Sequence, residues 1–211
     1  MSTPSDTRTL VLHGLRLKGF AAASAVAEAV GVTEAEAKPM LDQLVADGLA
    51  TYRDGRISGF TLKPAGRTEH AALLSAELDA AGARDALQDA YARFLGLNTD
   101  LLTICTAWQV RDVAAQSVPN DHTDEAYDAG IIDQLTDLHR KVEPICDELG
   151  AILDRFGGYG PRLSFALVQV RGGDHDLFTK PMVPSYHTVW FELHEDLLVT
   201  LGIERGAEGA D

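Results

Sequence analysis

A change of hydrophobic period within the first 62 residues constrains the fold of this chain more than any other feature. Apolar residues first recur at the spacing of amphipathic helices, with an interruption at Gly31. After Gly48, residues 49–53 and 56–62 have the composition of strands, and Asp54-Gly55 between them is a strong hairpin signal. The chain is therefore predicted to begin with helices and to continue directly into a β-hairpin.

Gly31 separates two short predicted helices, one over residues 21–30 and one from Thr33 to about residue 47. A glycine can adopt the left-handed backbone that a tight turn between helices requires. Thr33 and Glu36 have the spacing of a capping box, which starts a helix. With a first helix ending near Gly19, the predicted order is helix, helix, turn, helix, hairpin and a further helix.

This order resembles the winged helix-turn-helix regulators of the MarR and PadR type. The segments that carry the resemblance are Gly31-Val32-Thr33, residues 44–49, Arg53-Asp54-Gly55-Arg56 and residues 61–67. It covers about a third of the chain, a predicted domain over residues 8–78. It implies a homodimer that binds a pseudo-palindromic site in double-stranded DNA, with the helix from Thr33 in the major groove and the hairpin as the wing.

The predicted fold class is mainly α, with an N-terminal winged helix-turn-helix (helices plus a two-stranded β wing) followed by an all-α helical bundle. The candidate DNA-binding residues lie at the start of the third helix, on the wing and just after it. They are Thr33, Glu36, Lys38, Arg53, Arg56 and Arg67.

The third helix departs from the pattern in two ways. Glu34 and Glu36 repel phosphates, although a glutamate can accept a hydrogen bond from cytosine. Pro39 removes a backbone hydrogen bond and costs about 3 kcal/mol inside a helix unless the helix kinks. These features keep open an alternative, in which the winged helix belongs to a protein-interaction adaptor that binds no DNA.

The negative charge of the chain is unevenly distributed. The net charge is −14, but residues 1–78 hold 8 basic and 9 acidic residues, a net charge of −1. The remaining residues hold 10 basic and 23 acidic residues, a net charge of −13. The acidity of the whole chain therefore does not exclude DNA binding by its N-terminal part.

Residues 79–203 are predicted to form an all-α domain for dimerisation and for sensing a small-molecule effector, and residues 204–211 a disordered tail. This part resembles uncharacterised actinobacterial regulators around residues 105–109, 120–124 and 185–196. The helical patterns from residue 65 onward cover residues 65–80, 84–97, 99–116, 124–154, 160–171 and 186–201.

Polar and aromatic residues concentrate in three places of this region. The candidate ligand-binding residues are Trp108, His122, Tyr127, Tyr186, His187, Trp190 and His194. Those between 187 and 194 share one helix face, which could line a pocket for an aromatic or anionic molecule or could pack in the core. No metal site is predicted, because His187 and His194 are two helical turns apart.

No nucleophile–base spacing and no phosphate-binding glycine loop is recognisable, so we expect neither an enzyme nor a cofactor. Cys105 and Cys146 lie in helical patterns and are expected to be reduced, buried thiols. With no apolar run long enough for a membrane span and no secretory signal, the expected location is the cytoplasm. The sequence thus predicts a cytoplasmic, homodimeric transcriptional regulator.

Overall fold

The computed structural model describes residues 4–113 and 116–203, which are mainly helical. They form two compact units. The N-terminal unit comprises residues 4–87, 150–158 and 194–203, and the second unit comprises residues 88–113, 116–149 and 159–193. The sequence predicted one boundary near residue 78, whereas the N-terminal unit also contains two later stretches of the chain. No helix in the described ranges is both long enough and apolar enough to span a bilayer.

Local sequence signals explain where the first helices of the N-terminal unit begin and end. These helices are α1 (Thr7–Lys18), α2 (Ala23–Val30) and α3 (Glu34–Ala46). Gly31 follows α2 with φ 69°, the left-handed conformation that was predicted for the turn. Thr33 and Glu36 form the predicted capping box at the start of α3. Pro39 lies inside α3 at an exposed position.

A three-stranded antiparallel sheet completes this arrangement within the described residues. Its strands are β1 (Phe20–Ala21), β2 (Ala50–Arg53) and β3 (Gly59–Leu62), in the order β1-β3-β2. The short strand β1 was not predicted. Arg53 pairs with Gly59, so the connection spans residues 54–58 and the return strand begins three residues later than expected. Ser58 Oγ donates to Asp54 Oδ1 at 2.8 Å, which closes this longer loop.

Helix α4 (Pro64–Ala81) follows the hairpin directly, as predicted, and it begins with a proline, whose fixed φ suits the first turn of a helix. A Cβ atom at Gly66 would lie 2.2 Å from the Leu49 carbonyl oxygen, so only glycine allows this approach. The core of the unit is apolar and is drawn from the helices and the sheet together. Its large buried residues are Val11, Leu12, Leu15, Val26, Leu41, Leu44, Phe60 and Leu62.

The rest of the chain is helical except for one ribbon. Its elements are α5 (Arg84–Gln109), β4 (Val110–Val113), β5 (Gln116–Pro119), α6 (Glu125–Ile152), a 3-10 helix (Asp154–Gly158), α7 (Tyr159–Arg171), α8 (Asp176–Thr179) and α9 (Tyr186–Leu201). Strands β4 and β5 pair antiparallel, with Val110 opposite Pro119. The prediction of an all-α region is therefore wrong at this ribbon.

The helix boundaries around the ribbon also differ from the prediction. The two helices predicted over residues 84–97 and 99–116 are one helix, α5, which ends at Gln109. The remaining predicted helices agree with α4, α6, α7 and α9 within a few residues. The tail predicted over residues 204–211 lies outside the described residues.

Candidate functional site

The start of α3 is held by its own side chains. The Thr33 amide donates to Glu36 Oε2 at 2.9 Å, and the Glu36 amide donates to Thr33 Oγ1 at 3.3 Å. These hydrogen bonds from Thr33 lower the pKa of Glu36, so its carboxylate remains charged at neutral pH. Both predicted DNA-binding residues are thus exposed, but they are already engaged in the helix cap.

The exposed side of α3 is acidic. Lys38 is exposed, and its Nζ lies 2.5 Å from Asp42 Oδ2 one turn later. The exposed charged residues of α3 are Glu34, Glu36, Lys38 and Asp42, three acids and one base. The only cation predicted to reach DNA from this helix is therefore offset by a neighbouring carboxylate.

The hairpin of β2 and β3 has the opposite character. Arg53 and Arg56 are exposed, and neither forms an ion pair with any of the residues that the structure describes. The Arg53 guanidinium lies 5.0 Å from the Phe20 ring centroid, a cation–π contact that leaves its charge uncompensated. Tyr52 and Ile57 beside them are 50% and 71% exposed.

One ring contact connects α3 with this hairpin, and a second joins the two strands of the hairpin. The Phe60 ring on β3 lies 5.6 Å from Lys38 Nζ and 4.8 Å from the Tyr52 ring. Arg67, the remaining predicted DNA-binding residue, is exposed near the start of α4. The acidic side of α3 and the cationic hairpin are thus neighbouring parts of one surface, which we call the α3–hairpin surface.

A buried polar network, which was not predicted, lies elsewhere in the N-terminal unit. His13 and His70 are each 2% exposed, and Asp196 is 1% exposed. His13 Nδ1 lies 3.1 Å from His70 Nε2, and His13 Nε2 lies 2.9 Å from Asp196 Oδ2. Burial, and then the charge of His13, lowers the pKa of His70 to about 3.

Arg155, from the 3-10 helix, adds Glu77 and Thr200 to this network. Its guanidinium donates to Asp196, to Glu77 Oε2 at 3.0 Å and to Thr200 Oγ1 at 2.6 Å. Burial alone would raise the pKa of Asp196, but Arg155 and His13 together hold it below its ordinary value. Residues far apart in sequence thus form one buried, charge-compensated network in the N-terminal unit.

Three of the predicted ligand-binding residues lie close together in the second unit. The Trp108 and His122 rings are 4.4 Å apart between centroids. The Tyr127 hydroxyl donates to the Ala107 carbonyl at 3.0 Å, and the Arg111 guanidinium lies 4.7 Å from its ring. Asp124 Oδ1 accepts from the Tyr127 amide at 3.1 Å and caps α6.

Tyr186 and Trp190 form a second, buried group. Their exposed fractions are 0% and 2%, and the Trp190 ring stacks on Phe94 at 4.6 Å. The Tyr186 hydroxyl lies 3.1 Å from His139 Nδ1, and Trp190 Nε1 donates to Asn98 Oδ1 at 3.0 Å. These contacts are those of packed core residues with satisfied polar atoms.

The two remaining predicted residues lie in different units. His187 belongs to the second unit and is half-buried, which lowers its pKa. His194 is buried and belongs to the N-terminal unit. The seven predicted ligand-binding residues therefore do not form a single cluster.

The second unit also has two open grooves. One, of about 470 Å³, is lined by residues that include Thr99, Leu102, Thr106, Val110 and Tyr127. The other, of about 270 Å³, is lined by residues that include Asp100, Ile104, Gln134 and Lys141. Of the predicted ligand-binding residues, only Tyr127 lines either of these two grooves.

Several polar residues around His122 were missed by the sequence reasoning. The residues that contact His122 are Asp128, Asn120 and His175. The run of polar residues after Pro119 was the only sequence signal for Asp128 and Asn120, and there was none for His175. The predicted burial of both cysteines is confirmed: Cys105 and Cys146 are buried, free thiols.

The chain matches no protein-family model, no curated protein and no solved structure.

Proposed function

We propose that the protein is a cytoplasmic DNA-binding transcriptional regulator of the winged helix-turn-helix type that acts as a homodimer. In this proposal α2 and α3 are the helix-turn-helix and the β2–β3 hairpin is the wing. The element order, the left-handed Gly31 and the sheet order β1-β3-β2 support this assignment.

The observation that carries the proposal is the pair of uncompensated arginines on the hairpin. Arg53 and Arg56 are exposed and lack a carboxylate partner among the described residues, next to a helix of the right topology. Guanidinium groups on a wing bind phosphates or enter a minor groove. Two hairpins in a dimer would double the number of such interactions, which offsets the weak contribution of each subunit.

The acidic side of α3 restricts what this surface can bind. Glu36 is committed to the cap, and Lys38 must leave Asp42 before it can meet a phosphate. We therefore expect affinity to depend on the hairpin, with α3 contributing few direct interactions with phosphates.

Fluorescence polarisation with the DNA upstream of the protein's own coding sequence tests the proposal. We expect binding that weakens with salt. A plot of log K against log salt should become less steep in Arg53→Ala/Arg56→Ala. The magnitude of the negative slope should decrease by about 0.9 for each phosphate that the variant no longer neutralises. Arg140→Ala removes an exposed arginine from the second unit and is the control. An identical slope in the double variant and the control would refute the role of the hairpin.

A protein-interaction adaptor is the second candidate function. The observation that favours it is the excess of three acids over one base on the exposed side of α3. An adaptor of this kind would bind a basic protein surface through α3. The absence of DNA binding at low salt, together with binding of a basic partner that is abolished in Glu34→Lys/Asp42→Lys, would favour the adaptor over the regulator.

Control by a small-molecule effector stays a prediction. Such a ligand would change DNA affinity only if it bound two arrangements of the dimer with different affinity. The groove that includes Tyr127 is one place in the second unit where it could bind.

A further inference from the structure

The second unit contains a histidine–carboxylate pair that the proposed DNA binding does not use. His122 Nδ1 lies 3.0 Å from Asp128 Oδ2, and Asp128 is 5% exposed. The other carboxylate oxygen accepts from Asn120 Nδ2 at 2.8 Å. Because a carboxylate accepts, the proton of a neutral His122 lies on Nδ1, and Nε2 carries the lone pair.

The imidazole of His122 is held in place from several sides. Its backbone has φ 57°, and its amide donates to Asn120 Oδ1 at 3.3 Å. The ring packs against Trp108, while about a third of the side chain, 35%, stays exposed. His122 therefore presents an oriented nitrogen ligand that solvent can reach.

A second imidazole packs on the same indole. The His175 ring lies 5.1 Å from the Trp108 ring and 6.1 Å from the His122 ring, measured between centroids. His175 is exposed, and neither of its ring nitrogens has a hydrogen-bond partner within residues 4–113 and 116–203. Two imidazoles with available nitrogens thus lie side by side.

We infer that His122 and His175 bind a divalent transition-metal ion such as Zn²⁺, with water in the remaining coordination positions. Imidazole suits zinc and copper, and a histidine that binds metal usually donates its other N–H to a carboxylate. Asp128 has that position behind His122 and would orient the ligand without touching the ion. This inference is independent of the proposed DNA binding.

The separation of the two rings is close to that of a two-histidine site. Two imidazoles bound to one tetrahedral ion at 2.0–2.1 Å have ring centroids roughly 5 Å apart. The observed separation is 6.1 Å, and His175 is the exposed partner, so binding requires its ring to move toward His122. No group of three or more metal-ligating side chains occurs in the described part of the chain, so this would be an open site.

The two cysteines and the buried histidine pair of the N-terminal unit are unsuited to compete for zinc. Burial raises the pKa of Cys105 and of Cys146 to about 12, so both remain protonated thiols. His13 and His70 are each 2% exposed and contact one another. Zinc binding can therefore be assigned by substitution at a few positions.

Isothermal titration of the untagged, full-length protein with Zn²⁺ tests the inference. We expect one ion per chain, and at least about tenfold weaker binding in His175→Gln and in His122→Asn, each of which removes one ligand. Asparagine is chosen at His122 because it tolerates the left-handed backbone. Asp128→Asn should weaken binding by about 10–100-fold, the range for loss of an orienting partner.

His187→Gln, which changes a histidine of the same unit outside the cluster, is the control and should bind as the parent does. Undetectable binding of Zn²⁺ to the parent, or unchanged affinity in His175→Gln, would overturn the inference. His175→Gln decides the matter even if His122→Asn does not fold, because His175 is exposed and its ring makes no hydrogen bond among the described residues.

Discussion

The two units each contain a histidine beside an aspartate, in contrasting surroundings. In the N-terminal unit both side chains of the His13–Asp196 pair are buried, with exposed fractions of 2% and 1%. In the second unit Asp128 is buried, but His122 is 35% exposed. The nitrogen–oxygen distances are similar, 2.9 and 3.0 Å.

The difference lies in what surrounds each pair. Asp196 is buried between Arg155 on one side and His13, backed by His70, on the other. Asp128 contacts Asn120 and His122, and Nε2 of His122 has no hydrogen-bond partner among the described residues. Complete enclosure makes the first pair a stabilising element, whereas partial exposure leaves the second available to a ligand.

The largest effect is expected from Arg155→Met. This change removes the guanidinium that pairs with the buried carboxylates of Asp196 and Glu77, and such a loss costs about 3–5 kcal/mol. Urea denaturation of the variant measures the change in unfolding free energy. Arg140→Met, at an exposed ion pair, is the control and should change it by less than about 1 kcal/mol. Equal effects of the two substitutions would show that enclosure is irrelevant.

The next effect concerns the pH dependence of stability. The pKa of His70 is about 3 in the folded protein against 6.5 when unfolded, so unfolded chains bind the proton first. Stability therefore decreases as pH falls below 6.5, by about 2 kcal/mol between pH 7 and pH 5 from this group.

His70→Gln tests this pH dependence because it removes the titrating group and keeps an amide donor toward His13. We expect the difference in unfolding free energy between pH 7 and pH 5 to shrink by about 2 kcal/mol in this variant. Parallel pH profiles for the parent and the variant would contradict the assignment.

A smaller effect is expected at the exposed pair. Asp128→Asn weakens the hydrogen bonds from His122 and Asn120, at a cost of about 1–2 kcal/mol. Thermal or urea unfolding would measure this cost without added metal. A destabilisation as large as that in Arg155→Met would mean that the exposed pair is also primarily structural.

The smallest effect on stability belongs to the hairpin. Arg53→Ala/Arg56→Ala should change the unfolding free energy by less than about 1 kcal/mol, since among the described residues these side chains make only the cation–π interaction of Arg53 with Phe20. The same protein should bind DNA much more weakly if the proposed function is right. Unfolding of the double variant under the assay conditions would exclude it as a test of binding.

Short-range features were the ones that the sequence predicted well. The capping box of Thr33 and Glu36 and the left-handed Gly31 depend on residues at most three positions apart, and both occur as expected. The β4–β5 ribbon was missed because Ala114-Ala115 between its strands carries no glycine, proline or asparagine to signal a turn. The helix predicted over residues 99–116 covers β4 and the first residue of β5.

The polar clusters could not be predicted because their members are far apart in the sequence. His13 and Asp196 are separated by most of the chain, and no local pattern links them. His122 was identified as a candidate, but its proximity to His175 depends on how the elements of the second unit pack. Periodicity reveals which face of a helix is buried, not which residue from another element meets it.

The N-terminal unit is formed by three separate stretches of the chain, and this has a consequence for the order in which the protein can fold during synthesis. Domains near the N-terminus usually fold first as the chain emerges from the ribosome. Here Arg155 and Asp196, the partners of Glu77 and His13, are translated long after the helices they stabilise. The unit that is translated first is thus completed only after residue 196 has been added, and a fragment ending at residue 87 would expose groups that the full chain encloses.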